Sequence, residues 1–127
     1  MLIKTKSIGQ LGEEEAAQYL KNKGYKILDK NFQNNTGRRL GEIDIIAFDK
    51  KIDEIVFVEV KTRKYEKYKE TLPEENITYS KLRKLNKIAS VYLRLKKLED
   101  KPYRFDAISV WLNQEKAEAK IKHILSL

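Results

Sequence analysis

The 127-residue sequence predicts an α/β fold, with a mixed central sheet flanked by helices. Two segments with helical spacing of apolar residues alternate with short segments rich in Ile, Val and Phe. Each amphipathic helix needs an apolar surface to cover, and a sheet offers one on each side. The chain is short and shows neither a linker nor an internal repeat, so we expect one domain over residues 1–127 with one site.

The first helix is predicted to begin at Ser7 and to stop at Gly24. Ser7 and Gln10 match a capping box, and glycine is typical just beyond a helix. One face of this helix carries apolar residues at helical spacing, namely Leu11, Ala16, Ala17 and Leu20. We expect a strand over Tyr25–Phe32 and a polar loop over Gln33–Arg39.

Two further strands are predicted at Leu40–Phe48 and Glu54–Arg63, as an antiparallel hairpin joined by Asp49–Asp53. The long helix is expected over Ser80–Leu98, followed by a strand over Arg104–Leu112. The last segment, Glu115–Leu127, fits either a strand or a terminal helix, and its pattern favours a strand.

Composition restricts the chemistry. The sequence has no cysteine and one histidine, which excludes disulfides, cysteine-bound zinc and a metal site with two histidines from one chain. The net charge of +8 favours a polyanionic partner, with nucleic acid first. A heat-tolerant surface or genome composition is the alternative explanation. No segment resembles a membrane span or a secretory signal, so we expect a cytoplasmic protein without a membrane partner.

The candidate catalytic residues lie on the hairpin. Glu59 and Lys61 interrupt an apolar strand and share one of its faces. Strand parity also places Glu42 and Asp44 on one face.

If the turn spans Asp49–Glu54, Phe48 opposes Ile55, and counting back places Asp44 opposite Glu59 and Glu42 opposite Lys61. Parity puts Ile43 and Ile45 together on the other face. Two carboxylates about 5 Å apart repel by roughly 3 kcal/mol, which a divalent cation would offset. The alternative is a cross-strand ion pair on a solvated face.

Glu13 is a fourth candidate, because it lies at the edge of the apolar stripe of the first helix. Gly9, Gly12 and Ala16 keep the neighbouring surface small, as a close approach to a sheet, metal or phosphate would require. The alternative is the ordinary enrichment of acids in the first turn of a helix.

Several ordered motifs resemble one family. They are Gly9-x-x-Gly12-Glu13, Gly24-Tyr25-x-Ile27-Leu28, Asn31-Phe32, Gly41-Glu42-Ile43-Asp44, Phe57-Val58-Glu59-Val60-Lys61-x-Arg63 and the strand Arg104-Phe105-Asp106-Ala107-Ile108. Together they look like the YraN-like family, which is similar to archaeal Holliday-junction resolvases within the restriction-endonuclease-like superfamily. Two positions depart from the superfamily pattern: Ile43 replaces the proline often found before the first metal-binding aspartate, and Tyr65–Glu70 lacks the glycine expected in the substrate-facing loop.

This resemblance implies a PD-(D/E)xK core whose catalytic acids and lysine are Glu13, Asp44, Glu59 and Lys61. Asp44 and Glu59 would bind Mg²⁺ or Mn²⁺ for phosphodiester hydrolysis. Lys61 would orient water or neutralise charge, and Glu13 would complete the outer shell or bind a second ion. Because resolvase-like relatives cut four-way junctions as dimers, a homodimer is an open alternative.

The nucleic acid, with branched or single-stranded DNA favoured over RNA, is expected to contact basic residues near the centre. They are Arg38, Arg39, Arg63, Lys64 and Lys81, with Lys84 among those extending along the long helix, where an ordinary solvated face is the competing interpretation. Tyr65 and Tyr68 are candidates for stacking on bases. Two other function classes stay open, a nucleic-acid-binding module without cleavage and a protein assembly factor. His123 and Trp111 are interpreted as structural.

Overall fold

The computed structural model describes residues 5–34, 37, 40–64 and 78–127. Along these residues the chain forms a five-stranded sheet of order β1-β2-β3-β4-β5 and two helices. Their bounds are α1 (Ile8–Asn22), β1 (Tyr25–Gln33), β2 (Glu42–Asp49), β3 (Glu54–Lys64), α2 (Tyr79–Leu95), β4 (Tyr103–Asn113) and β5 (Glu118–Ile124). Strands β3 and β4 are parallel and the other neighbours antiparallel. The predicted mixed α/β sheet is confirmed, including the strand at the C-terminus.

Helix α1 begins where the capping box predicts. The Ser7 hydroxyl accepts a hydrogen bond from the backbone N–H of Gln10 at 3.2 Å, and the Gln10 side chain accepts one from the Ser7 backbone at 2.9 Å. These bonds satisfy donors that the first turn leaves unpaired. The helix ends at Asn22, and Gly24 follows with a φ of 94° that suits glycine.

Helix α2 ends three residues before the predicted Leu98. Lys97 has a φ of 57°, and the N–H of Leu98 donates to the carbonyl of Leu93 at 2.8 Å while the N–H of Lys97 donates to Arg94 at 3.2 Å. This pattern is a Schellman motif, which closes a helix and turns the chain away. Leu98 packs against the core beneath α2 although it lies beyond the helix. Its apolar side chain therefore continued the helical spacing in the sequence and made the predicted helix too long.

The sheet separates two apolar cores. The α1 core lies on one side and is made of residues from α1 and the sheet, namely Ala16, Ala17, Leu20, Ile45, Ala47, Val56, Val58, Ile108, Val110 and Leu112. The α2 core lies on the other side and comprises Ile43, Ile46, Ile55, Phe57, Leu85, Ile88, Ala89, Tyr92 and Leu93. Residues of β3 alternate between the two cores, as expected for a strand covered on both faces.

Gly12 lets α1 lie against β3. A Cβ atom at this position would be 1.8 Å from Oγ1 and 2.6 Å from Cβ of Thr62, so the helix would have to move. We expect Gly12→Ala to lower the free energy of unfolding by about 1–3 kcal/mol, because overpacking outweighs the better helix propensity of alanine. Urea denaturation measures this change.

Gly9→Ala is the matched control on the same helix. An added Cβ at Gly9 would meet only the Ser7 hydroxyl, at 3.9 Å, so alanine there is expected to leave stability equal or slightly higher. Equal effects of the two substitutions would contradict the packing role of Gly12.

Candidate metal centre

The acidic residues of the candidate site lie where β2 and β3 separate. The predicted pairing of Phe48 with Ile55 is confirmed. The β2–β3 ladder ends at Ile45 and Val58, whereas β3 stays paired with β4 as far as Lys64. A gap therefore opens between β2 and the outer part of β3, on the side where the site residues cluster.

Asp44 directs its carboxylate into this gap. Its Oδ2 accepts a hydrogen bond from the backbone N–H of Val60 at 2.8 Å, in place of a bond between the two backbones. The predicted pairing of Asp44 with Glu59, and of Glu42 with Lys61, is wrong because the ladder ends one residue before Asp44. A bond between a side chain and the backbone joins the two strands here.

The side-chain alternation predicted for β2 also breaks at this point. Ile43 packs in the α2 core and Ile45 in the α1 core, although parity had placed them on the same face. On the neighbouring strand, Asn31 has a φ of 52° and lies between partners of these two isoleucines. A left-handed residue interrupts the regular pleat, which frees the acids of β2 to turn toward α1.

The three acids Glu13, Glu42 and Asp44 form what we call the acidic cluster, in which one carboxylate oxygen of each lies within 4.8 Å of the others. Asn31 Nδ2 donates to Glu13 at 3.2 Å and to Glu42 at 2.5 Å, and Gln33 Nε2 donates to Glu42 at 2.9 Å. These amides hold the outer carboxylates in place. Among the described residues this is the group of side chains that could share a metal ion.

Asp44 lies in an environment that disfavours its negative charge. Burial, followed by the nearby charge of Glu59, raises its pKa from 3.8 to about 7, with smaller contributions from Glu13 and Glu42. The hydrogen bond from Val60 acts in the opposite direction but is outweighed. Near neutral pH Asp44 is therefore either protonated or adds an uncompensated negative charge to the cluster. A bound cation would compensate this negative charge.

Glu59 lies near Asp44 but forms a separate contact. Its Oε1 is 2.7 Å from Nζ of Lys81, a residue in the first turn of α2, and its side chain is only 11% exposed. Burial opposes the charge of Lys81, yet Glu59 outweighs it and raises the pKa of this lysine. The structure thus places one predicted metal ligand, Glu59, against one predicted nucleic-acid contact, Lys81.

Lys61 follows on the same face of β3. Burial, and then the hydrogen bond and positive charge of Lys81, lower the pKa of Lys61, while Glu59 opposes this effect in part. The two lysines consequently differ in character. The surroundings raise the pKa of Lys81 and lower that of Lys61.

A cleft of about 440 Å³ adjoins these residues. Its walls come from the start of β2, the end of β3 and the first turns of α2, namely Leu40, Gly41, Glu42, Glu59, Thr78, Ser80, Lys81, Lys84, Leu85 and Ile88. The cleft has acids on one wall and the two lysines of α2 on the other. Such a polarity fits a ligand that carries a phosphate and a metal cation.

The remaining predicted contacts are distributed along β3 and beyond it. Arg63 and Lys64 end β3, where Arg63 is partly exposed and Lys64 exposed. Arg38 and Arg39 lie outside the described residues, as does the segment Tyr65–Glu70 with its two tyrosines.

Sequence reasoning missed the part played by Glu42, Asn31 and Gln33. Glu42 had been placed on the face of Asp44, and this parity was the signal that could have included it. The two amides gave no such signal, because Asn31 fell within the predicted strand Tyr25–Phe32 and Gln33 within the predicted polar loop. Their role depends on the pairing of Phe32 with Ile43 and of Gln33 with Glu42, which is a tertiary feature.

A second polar cluster lies where β4 begins. Asp106 is fully buried, and the Arg104 guanidinium donates to both of its oxygens, at 3.0 and 3.2 Å. His123 Nε2 donates to Asp106 at 2.7 Å, and the backbone N–H of Ser126 donates at 3.0 Å. Burial opposes ionisation of Asp106, but these bonds outweigh it and lower its pKa. His123 is part of a buried ionic network.

Comparison with known proteins gives a family but no activity. The model of the uncharacterised protein family UPF0102 matches residues 12–110. A UPF0102 protein of Caldanaerobacter subterraneus is 46% identical over 125 residues, covering 98% of this chain and 96% of the relative. A Clostridium botulinum UPF0102 protein is 47% identical, covering 94% and 91% respectively. None of the described helices is both long enough and apolar enough to span a membrane.

Proposed function

We propose that this chain, which belongs to the UPF0102 (YraN) family, is a divalent-metal-dependent phosphodiesterase acting on nucleic acid with a restriction-endonuclease-like core. The observation that carries the proposal is the acidic cluster, which lies near Lys61 and near the ion pair of Glu59 with Lys81. Acids that share a cation and bases that meet a phosphate are the two requirements of metal-assisted hydrolysis.

The donors of the cluster fit Mg²⁺ or Mn²⁺. They are carboxylate oxygens, the ligands that hard cations prefer, and the sequence has no cysteine that would favour a softer metal. Asp44 would be the central ligand, with Glu13 and Glu42 beside it. Glu59, the second ligand predicted from the sequence, would join when a phosphate attracts Lys81 away from it.

When bound, the ion would acidify a water molecule and stabilise charge on the attacked phosphate. Lys61, whose pKa burial and Lys81 lower, would orient the attacking water or neutralise charge at the phosphate. Lys81, whose pKa is raised, stays charged and neutralises a phosphate oxygen. Hydrogen bonds from Asn31 keep Glu13 and Glu42 directed at the cluster.

The test is cleavage of branched, flapped and single-stranded DNA, and of RNA, with and without Mn²⁺. We expect metal-dependent cleavage that Asp44→Ala abolishes and that Lys61→Ala slows by about 100-fold or more. Asp100→Ala, at an exposed acid away from the cluster, is the matched control. Cleavage that persists in both site variants at the rate of the control would exclude the assigned centre.

A binding module without cleavage is the second candidate function. The ion pair of Glu59 with Lys81 favours it, because this acid is already compensated by a partner in the fold. Calorimetric titration of Mn²⁺ without nucleic acid separates the two functions. Specific binding that is lost in Asp44→Ala supports the enzyme, whereas salt-sensitive nucleic-acid affinity without metal binding supports the module.

A further inference from the structure

The face of the sheet that is turned away from α1 carries a row of basic residues around one tryptophan. The ladders place Arg63 of β3, Trp111 of β4 and Lys120 of β5 side by side. The preceding row consists of Lys61, Ser109 and Lys122. Residues that are direct neighbours across strands share a face.

This face is the one that carries Glu59. Glu59 pairs with Ala107, and Trp111 lies four residues further along β4, so both have the same parity. The intervening residues Ile108 and Val110 point the other way, into the α1 core. Trp111 therefore lies on the face of Glu59 and Lys61, about 13 Å from the Glu59 row along the strand.

Trp111 lies outside the apolar cores. It belongs to neither of the two apolar cores formed by the described residues, and it is partly exposed. Trp111 lies on β4, within the predicted strand Arg104–Leu112. A depression of about 250 Å³ lies beside it, lined by Trp111, Asn113, Lys116, Glu118, Ala119 and Lys120.

We propose that Trp111, Lys116 and Lys120, here called the Trp111 site, bind an unpaired nucleotide of a nucleic acid. The indole offers a flat surface on which any base can stack, and the two exposed lysines offer positive charge to the adjoining phosphates. One acid, Glu118, lines the depression, so positive charge prevails there. A basic aromatic pocket of this kind fits a single strand.

The distance from Trp111 to the Glu59 row indicates the class of substrate. About 13 Å along a strand corresponds to about four nucleotides of a stacked chain. An unpaired strand, as a flap or branch provides, would thus reach from the Trp111 site to Glu59 with about four nucleotides. The proposal rests on the proposed function only for its ligand, nucleic acid, and needs neither metal nor cleavage.

Trp111 is the single tryptophan of the sequence, so its fluorescence reports directly on the site. We expect short single-stranded DNA, titrated in the presence of EDTA, to quench this fluorescence, and a blunt duplex of the same length to quench it less. Anisotropy of a labelled strand, recorded in parallel, measures binding anywhere on the protein. Binding by anisotropy without quenching would overturn the Trp111 site and leave the proposed function standing.

Variants complete the test. Trp111→Ala is expected to weaken single-strand binding about tenfold or more. Lys116→Gln and Lys120→Gln should each weaken single-strand binding. Each should also reduce the slope of log affinity against log salt concentration by about one unit. Lys51→Gln, at an exposed lysine in the β2–β3 turn, is the matched control. Lysine variants that bind like this control would overturn the site, and absence of any binding would overturn the proposed function as well.

Discussion

Asp44→Asn is expected to raise the free energy of unfolding of the metal-free protein by roughly 2–4 kcal/mol at pH 8, because the pKa of Asp44 is raised from 3.8 to about 7. Asparagine has the shape of the protonated acid and can still accept the hydrogen bond from Val60. The substitution removes the repulsion from Glu59 and the cost of a buried charge.

The same substitution should abolish stabilisation by metal. A ligand that binds only the folded state raises its stability, so Mn²⁺ should raise the melting temperature of the unaltered protein but not that of Asp44→Asn. The variant would then be the more stable protein in EDTA and the one that does not respond to saturating metal. A purely structural aspartate would not give this combination.

The pH dependence follows from the direction of the pKa shift. Between about pH 4 and pH 7 folded Asp44 keeps a proton that the unfolded chain has lost, so its stabilising effect declines as the pH rises through about 7. The gain in free energy of unfolding from Asp44→Asn should be small at pH 4.5 and reach its full size at pH 8. Asp100→Asn, at an exposed acid, is the control and should show no such trend. An advantage that is independent of pH would contradict the raised pKa.

Much of the fold could be predicted because its signals are local. The capping box of Ser7 and the alternation of Val56 and Val58 each depend on a few neighbouring residues. The predicted end of α2 was wrong because Leu98 reaches the core from a Schellman motif. Periodicity records which residues are buried, and it does not distinguish a helical turn from a cap that continues the same face.

The candidate site could be predicted only in part. The predicted hairpin register brought Asp44 and Glu59 to one region. Although the two residues are not paired, they lie close enough for the charge of Glu59 to raise the pKa of Asp44. Which acids share an ion depends on where the β2–β3 ladder ends and on the left-handed Asn31. The contact of Glu59 with Lys81 depends on how α2 packs over the sheet. These are tertiary features without a local pattern.

Arg104→Met is expected to lower the free energy of unfolding by about 3–5 kcal/mol, the cost of leaving a buried charge without its partner. Arg104 donates two hydrogen bonds to the fully buried Asp106 and a third to Glu54 at 2.7 Å. Methionine fills a similar volume but donates nothing. Asp106 would keep only its bonds from His123 and the Ser126 backbone.

A double variant separates lost charge from lost packing at this position. In Arg104→Met/Asp106→Asn both opposing charges are gone, so we expect it to be more stable than Arg104→Met alone, by about 1 kcal/mol or more. Urea denaturation gives both values, and Arg94→Met, at an exposed arginine of α2, should change stability by less than about 0.5 kcal/mol. Below about pH 4 the loss of free energy of unfolding in Arg104→Met should become smaller, because protonation of Asp106 removes the charge that Arg104 compensates. A double variant as unstable as the sum of both single changes would assign the loss to packing instead.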